Sequence, residues 1–199
     1  MFRNSECHVR ISAGFLLLVF WFCAVNGVEL LLVILSAAAA HELGHWGMLL
    51  CFGVRPRCLR IGILGAVLEA DCSRLSYGRE MAAVLAGPGI NLICAWILSS
   101  AGRGMDLVVG THLVLGAFNL LPLRPLDGGR ALYLLTAWVF GPWAGDLAAR
   151  WIGTAATMLL AGGLVWVMYQ TGGSLWLLPA SVGIVMAAGR EWFEKEVFL

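Results

Sequence analysis

The sequence contains a single lysine, Lys195, and charged residues make up only 13% of its 199 positions. Soluble domains carry roughly a quarter, so an ordinary soluble domain is excluded. A formal net charge of +1 provides no basic surface, and no nucleic-acid partner is expected. The six cysteines include no CxxC pair. Cys23, Cys51 and Cys94 lie in apolar stretches, where thiols behave as small buried hydrophobes. Cys7, Cys58 and Cys72 would face a reducing cytosol, which excludes a disulfide framework and a cysteine-type zinc site. No good small-x-small cleavage site follows the first apolar stretch, Ala24-Val25-Asn26 being a poor one, so that stretch is read as a span and not as a signal peptide. What the chain has in abundance is apolar: 60% hydrophobic residues, with nine Trp, nine Phe and 25 Gly. Glycine inside helices and tryptophan at interfaces fit a multi-span membrane protein.

Six apolar stretches can be measured against the ~20 residues a bilayer needs. They cover residues 11–25, 30–52, 81–100, 107–121, 151–169 and 175–188. The first, fourth and sixth are short and must borrow flanking residues or sit in thinned bilayer. If six helices alternate, one side receives the amino-terminal tail, the loop at 53–80, the segment 122–150 and the carboxyl tail. That side holds twelve of the thirteen cations, and only Arg103 lies opposite. The positive-inside rule then puts both termini in the cytosol. The expected fold is an all-α integral membrane protein, one domain over residues 1–199, with six transmembrane helices.

The chemistry sits in the second stretch, which carries His41, Glu42 and His45 as HELGH. Residues four apart on a helix project from one face, one above the other. Two imidazoles so placed can reach a single Zn²⁺ with nitrogens at ~2.0–2.1 Å. Glu42 follows the first histidine, where its carboxylate can take a proton from water at the metal without being a ligand. An ionisable group at the bilayer centre costs ~2.5–3.5 kcal/mol even on the insertion scale. Three such groups within about a turn are hard to retain without a cation to satisfy them. The blander reading is a pair of core histidines hydrogen-bonded to neighbouring helices.

A catalytic zinc needs a third protein ligand and one open position. Asp127 follows a stretch from Asn119 that contains Pro122 and Pro125 and cannot continue a regular helix. Broken backbone at membrane depth is tolerated where it is buried in protein or lines a watery cavity. A re-entrant turn bringing Asp127 to the metal therefore makes physical sense, although the same residue could cap a helix over residues 129–140. His112, alone in the fourth stretch, reads as an interhelical hydrogen-bonding group.

HELGH, the span-three segment Ala86-Gly87-Pro88-Gly89-Ile90-Asn91 and NLLPLRPLDGGR at 119–130 together resemble the site-2 protease family of intramembrane zinc metalloproteases. The branch of stage IV sporulation protein FB is the nearest in pattern. The resemblance implies one zinc per chain, with His41, His45 and Asp127 as ligands and Glu42 as general base. It implies that Asn119 and Pro125 lie along an unwound substrate, and that Gly87, Pro88 and Asn91 are structural. It also implies a short membrane-associated β-like loop between helices 2 and 3, at residues 61–71, whose strand edge could hold an extended substrate by backbone pairing. Expected partners are the lipid bilayer, a membrane-tethered pro-sigma or anti-sigma factor as substrate, and an inhibitory membrane protein. The expected setting is a bacterial cell membrane during sporulation. No CBS domain follows residue 188, so nucleotide regulation is not expected.

Glu42 lies ~14 Å below the cytosolic end of its stretch at 1.5 Å per residue, so a polar cavity must bring water to it. The alternative from another class is a non-catalytic metal-binding or transport component holding a cation with His41, His45 and Asp127. Transport gives no reason for a carboxylate beside the ligand pair but not among the ligands. No inverted repeat relates residues 1–100 to 101–199. Zinc proteases with a glutamate third ligand fit poorly, since the late glutamates, Glu191, Glu194 and Glu196, follow the last stretch.

Overall fold

The computed structural model describes residues 8–62, 65–100 and 104–170. The chain divides into two compact units, Met1–Asn119 and Leu120–Leu199. The first contains β1 (His8–Ile11), α1 (Ala13–Asn26), α2 (Val28–Cys51), β2 (Cys58–Gly62), β3 (Gly65–Glu69), α3 (Tyr77–Ser99) and α4 (Asp106–Asn119). The second contains α5 (Asp127–Phe140) and α6 (Pro142–Gln170).

In the first unit, Ser12 starts α1 by accepting a hydrogen bond from the Phe15 amide on its hydroxyl, at 3.2 Å. One residue, Gly27, separates α1 from α2. Its φ of +85° is a left-handed conformation that only glycine adopts freely. The β-like loop expected between α2 and α3 is an antiparallel pair, β2 with β3, in register from Cys58 opposite Glu69 to Gly62 opposite Gly65. Sequence reading missed a third strand. β1, from the amino-terminal segment, pairs in parallel with β2, His8 opposite Cys58 through Ile11 opposite Ile61. Ile11 thus belongs to the sheet and not to the first span.

The helices of this unit invert the usual inside-out rule. Their buried positions are mainly small, among them Ala37, Gly44, Ala83, Gly87, Ala95 and Gly116. Large side chains point outward, Phe20 at 75% and Trp96 at 77% exposure. Lipid tails are as apolar as leucine, so burying large side chains against other helices brings little gain. Small residues instead let backbones approach and gain van der Waals contact.

In the second unit, Gly141 (φ +90°) ends α5, and Pro142 opens α6 where its missing N–H costs nothing. Gly145 lets the two helices meet: a Cβ there would stand 2.9 Å from the Ala137 methyl. The turn before α5 folds back on itself through Leu123 N–H to the Leu121 carbonyl (2.7 Å) and Leu126 N–H to the Leu123 carbonyl (2.9 Å). A Cβ on Gly128 or Gly129 would collide with the carbonyls of Leu120 and Leu123.

Among the described residues three helices, α2, α3 and α6, are long and apolar enough to cross a membrane, while α1 and α4 are shorter apolar helices. The sixth apolar stretch, 175–188, lies outside the described residues. The segment 122–150, read as a connection, is helical from Asp127 onward apart from Gly141, and α6 begins at Pro142 and not at residue 151. Asp146 and Arg150 set the expected start of that span too late, because charges limit membrane depth and not helix formation.

Outside the spans, Asp71 closes the turn into α3. Its Oδ1 accepts from the Ser73 hydroxyl (2.6 Å) and amide (3.2 Å), and Arg57 stands 3.3 Å from Oδ2. The Ser73 hydrogen bonds, with lesser help from the Arg57 and Arg74 charges, hold the carboxyl below its ordinary 3.8. A depressed folded pKa means that the turn keeps these bonds from neutral pH down through 3.8 and loses them only below it. In a carboxylate NMR titration, Asp71 should titrate below 3.8 and move back up in Ser73→Ala. An unchanged midpoint in that variant would show the hydroxyl plays no part.

Candidate metal centre

α2 is built so that one stripe at four-residue spacing faces inward. Ala37 and His41 are buried on it, and His45 continues it. The imidazole rings of His41 and His45 meet at 4.8 Å between centroids, with an interplanar angle of 79°, and their Nε2 atoms stand 3.1 Å apart. Two nitrogens held by one tetrahedral ion at ~2.0–2.1 Å would stand about 3.3–3.4 Å apart. The pair therefore fits a shared metal ion within a few tenths of an ångström.

The opposite ring nitrogens decide whether those Nε2 atoms carry lone pairs. His45 Nδ1 lies 2.8 Å from the Ala83 carbonyl oxygen. A carbonyl only accepts, so the proton is on Nδ1 and Nε2 is bare, the form in which histidine ligates a metal. His41 Nδ1 meets the Asn91 amide at 3.2 Å, and the other end of that amide meets His112 Nδ1 at 3.1 Å. Asn91 is fully buried and His112 nearly so. Glu42 is half-buried and projects about 100° round the helix from His41.

Two glycines make this geometry possible. A Cβ on Gly44 would stand 2.6 Å from the Ala86 carbonyl oxygen, and a Cβ on Gly87 would fall on the His45 ring itself. Gly87 is part of a second stripe at four-residue spacing, Ala83, Gly87, Asn91 and Ala95, all buried on α3. Pro88 beside it donates no hydrogen bond within the helix.

Of the residues singled out from sequence, His41 and His45 are brought together. Asp127 is half-buried as the first residue of α5 in the other unit. Asn119 ends α4, its amide donating to the Leu115 carbonyl at 3.0 Å, and Pro125 is exposed on the turn before α5. His112 makes the interhelical hydrogen bond expected of it, to Asn91 on α3, whereas the contact of Asn91 with His41 was missed. The available signal was the spacing of small and polar residues, 83–87–91–95 on α3 and 112–116 on α4.

A mainly helical membrane protein with two histidines placed to share a metal ion is the class these features define. The chain is 31% identical to Rip3 of Mycobacterium tuberculosis, whose name marks it as a zinc metalloprotease, over 89% of this chain and 48% of that protein. It is 24% identical to a zinc metalloprotease of Methanocaldococcus jannaschii over 71% of this chain and 42% of that one. It is 29% identical to stage IV sporulation protein FB of Bacillus subtilis over 58% and 44%. The chain spans less than half the length of each of these relatives. No family model matches it. The solved site-2 protease from M. jannaschii superposes with a TM-score of 0.66 at 22% identity, covering 100% of this chain and 97% of that one, which establishes a common fold. The chain is thus similar to named zinc metalloproteases over part of their length and shares the fold of the solved site-2 protease.

The close α2–α3 contact can be tested without metal. Gly44→Ala should destabilise the protein by about 1–3 kcal/mol through overpacking. Gly47→Ala, on the same helix with nothing within 4 Å of its Cβ, should be neutral or stabilising. Thermal unfolding in detergent checks both; equal effects of the two would contradict the packing.

Proposed function

We propose that this protein is an intramembrane zinc metalloprotease that cleaves a membrane-associated substrate within or near the bilayer. The observation that carries this reading is the His45 Nδ1–Ala83 carbonyl contact, which leaves a bare Nε2 facing His41 inside an apolar helix, with a glutamate next in sequence. Two imidazoles, from His41 and His45, and the Asp127 carboxylate are donors of the kinds that zinc takes. Their chemistry suits zinc, and the relatives' names agree. In this reading Asp127 is the third ligand, and one position stays open for chemistry.

When bound, zinc supplies a Lewis acid that polarises the scissile carbonyl and makes water acidic enough to attack at neutral pH. Glu42 accepts the proton of the attacking water and returns it to the leaving amine. In this reading Asn119 and Pro125, at either end of the proline-broken stretch before α5, lie along the unwound substrate segment. A helical substrate hides its carbonyls in i→i−4 hydrogen bonds, so it has to unwind before cleavage, and helix-weakening residues near the cleaved bond should favour it. The likeness to stage IV sporulation protein FB supports a membrane-tethered pro-sigma factor as substrate, with an anti-sigma factor as the second candidate and a membrane protein as inhibitor. The cation distribution supports a multi-pass arrangement in a bacterial membrane with both termini cytoplasmic.

The test is metal content and cleavage measured together on detergent-purified protein. Wild type should hold about one zinc per chain. Asp127→Ala should lose it, whereas Glu42→Gln should keep it and lose turnover by about 10²–10⁴-fold. Zinc held by Glu42→Gln with turnover intact would remove the base and point to a binding or transport role.

A further inference from the structure

We propose that Asn91 and His112 are positioning residues that set the tautomer of His41 and so control how tightly the centre holds its metal. The proposal deepens, and rests on, the metalloprotease reading above, in which His41 ligates through Nε2.

The two histidines of the motif are not fixed alike. His45 is locked in the ligating form by a carbonyl, which cannot reverse its role. His41 is held by an amide, which can. With the Asn91 Nδ2 toward His41 Nδ1 and Oδ1 toward His112 Nδ1 (3.2 Å and 3.1 Å), the amide donates to His41. His41 Nδ1 is then an acceptor, its proton sits on Nε2, and Nε2–H points at His45 Nε2 3.1 Å away. His112 Nδ1–H donates to Asn91. This arrangement satisfies the contacts named and leaves the His41 proton on Nε2. It cannot be that of a metal-loaded pair, because a protonated Nε2 has no lone pair for a metal.

Rotating the Asn91 amide by 180° exchanges its oxygen and nitrogen with little other movement. Oδ1 then accepts from His41 Nδ1–H, leaving His41 Nε2 bare, and Nδ2 donates to His112 Nδ1. The proton count is unchanged: the His41 proton passes from Nε2 to Nδ1, and the His112 proton from Nδ1 to Nε2. In the loaded state His112 is the acceptor that holds the amide in the turned position. Asn91 is fully buried, so an amide end left without a partner would be costly, and the two orientations are discrete. Gly116 makes the chain of contacts possible. One turn beyond His112 on α4, it packs against Asn91 and Leu92, where an added Cβ would stand 3.2 Å from Asn91 Cβ. Outer partners of this kind typically change metal affinity by 10–100-fold.

The experiment is zinc affinity by chelator competition on the detergent-purified full chain, alongside thermal unfolding of the metal-free form. Asn91→Leu should weaken zinc by about 10–100-fold. Asn91→Asp, which keeps an acceptor for His41 Nδ1–H, should restore affinity to at least the wild-type value. His112→Leu should weaken binding less than Asn91→Leu, and His112→Gln, whose amide oxygen can accept from Asn91, should recover it. The His112 pair decides the question if a charge or leucine at Asn91 prevents folding. Wild-type affinity in both leucine variants, or a lowered melting temperature with unchanged affinity, would reduce the pair to a clamp between α3 and α4 and overturn the proposal. Failure of wild type to bind zinc would instead remove the metalloprotease reading on which it rests.

Discussion

Ala83 presents a backbone carbonyl to His45 at 2.8 Å, and a carbonyl oxygen has no way to donate. That one-directional contact fixes the proton of His45 on Nδ1 and turns its other ring nitrogen toward His41. It demands that α2 and α3 run close enough for a side chain on one to reach the main chain of the other at the level of the motif. Gly44 and Gly87 meet that demand: a methyl at either position would occupy the Ala86 carbonyl or the His45 ring. The centre and the helix packing are thus a single constraint, and neither can be altered without the other.

The same constraint explains why the first unit is built from small residues. In water, a core of large apolar side chains would supply the driving force. In lipid that force is absent between helices, and stability comes from contact and from satisfied polar groups. The four-residue stripes of Ala, Gly, Asn and His on α2, α3 and α4 supply both. They let the backbones approach, and they place His41, Asn91 and His112 in one hydrogen-bonded line. A buried polar line in an apolar surrounding is tolerated only when its members satisfy one another.

HELGH was legible because its chemistry is local: two imidazoles on one helical face, with a carboxylate beside them, follow from helix geometry alone. The long apolar spans were legible for the same reason, since length and composition need no partner. What escaped depends on partners distant in sequence. β1 pairs with β2 across about fifty residues, and nothing in His8–Ile11 itself announces a strand beside an apolar run. The hydrogen bonds of Asn91 escaped because they depend on what stands on either side, His41 fifty residues before it and His112 twenty-one after. The helix over residues 129–140 was legible, because the prolines stop at Pro125 and an apolar run follows Arg130; the structure starts it at Asp127.

The central claim is that two imidazole nitrogens of α2 share one metal ion, and zinc-edge X-ray absorption of the zinc-loaded protein tests it most directly. The account predicts four light-atom ligands, two of them with the outer-shell signature of imidazole, at ~2.0–2.1 Å. Sulfur scattering at ~2.3 Å, which would bring in cysteines such as Cys51 or Cys58, or a shell lacking imidazole, would contradict it.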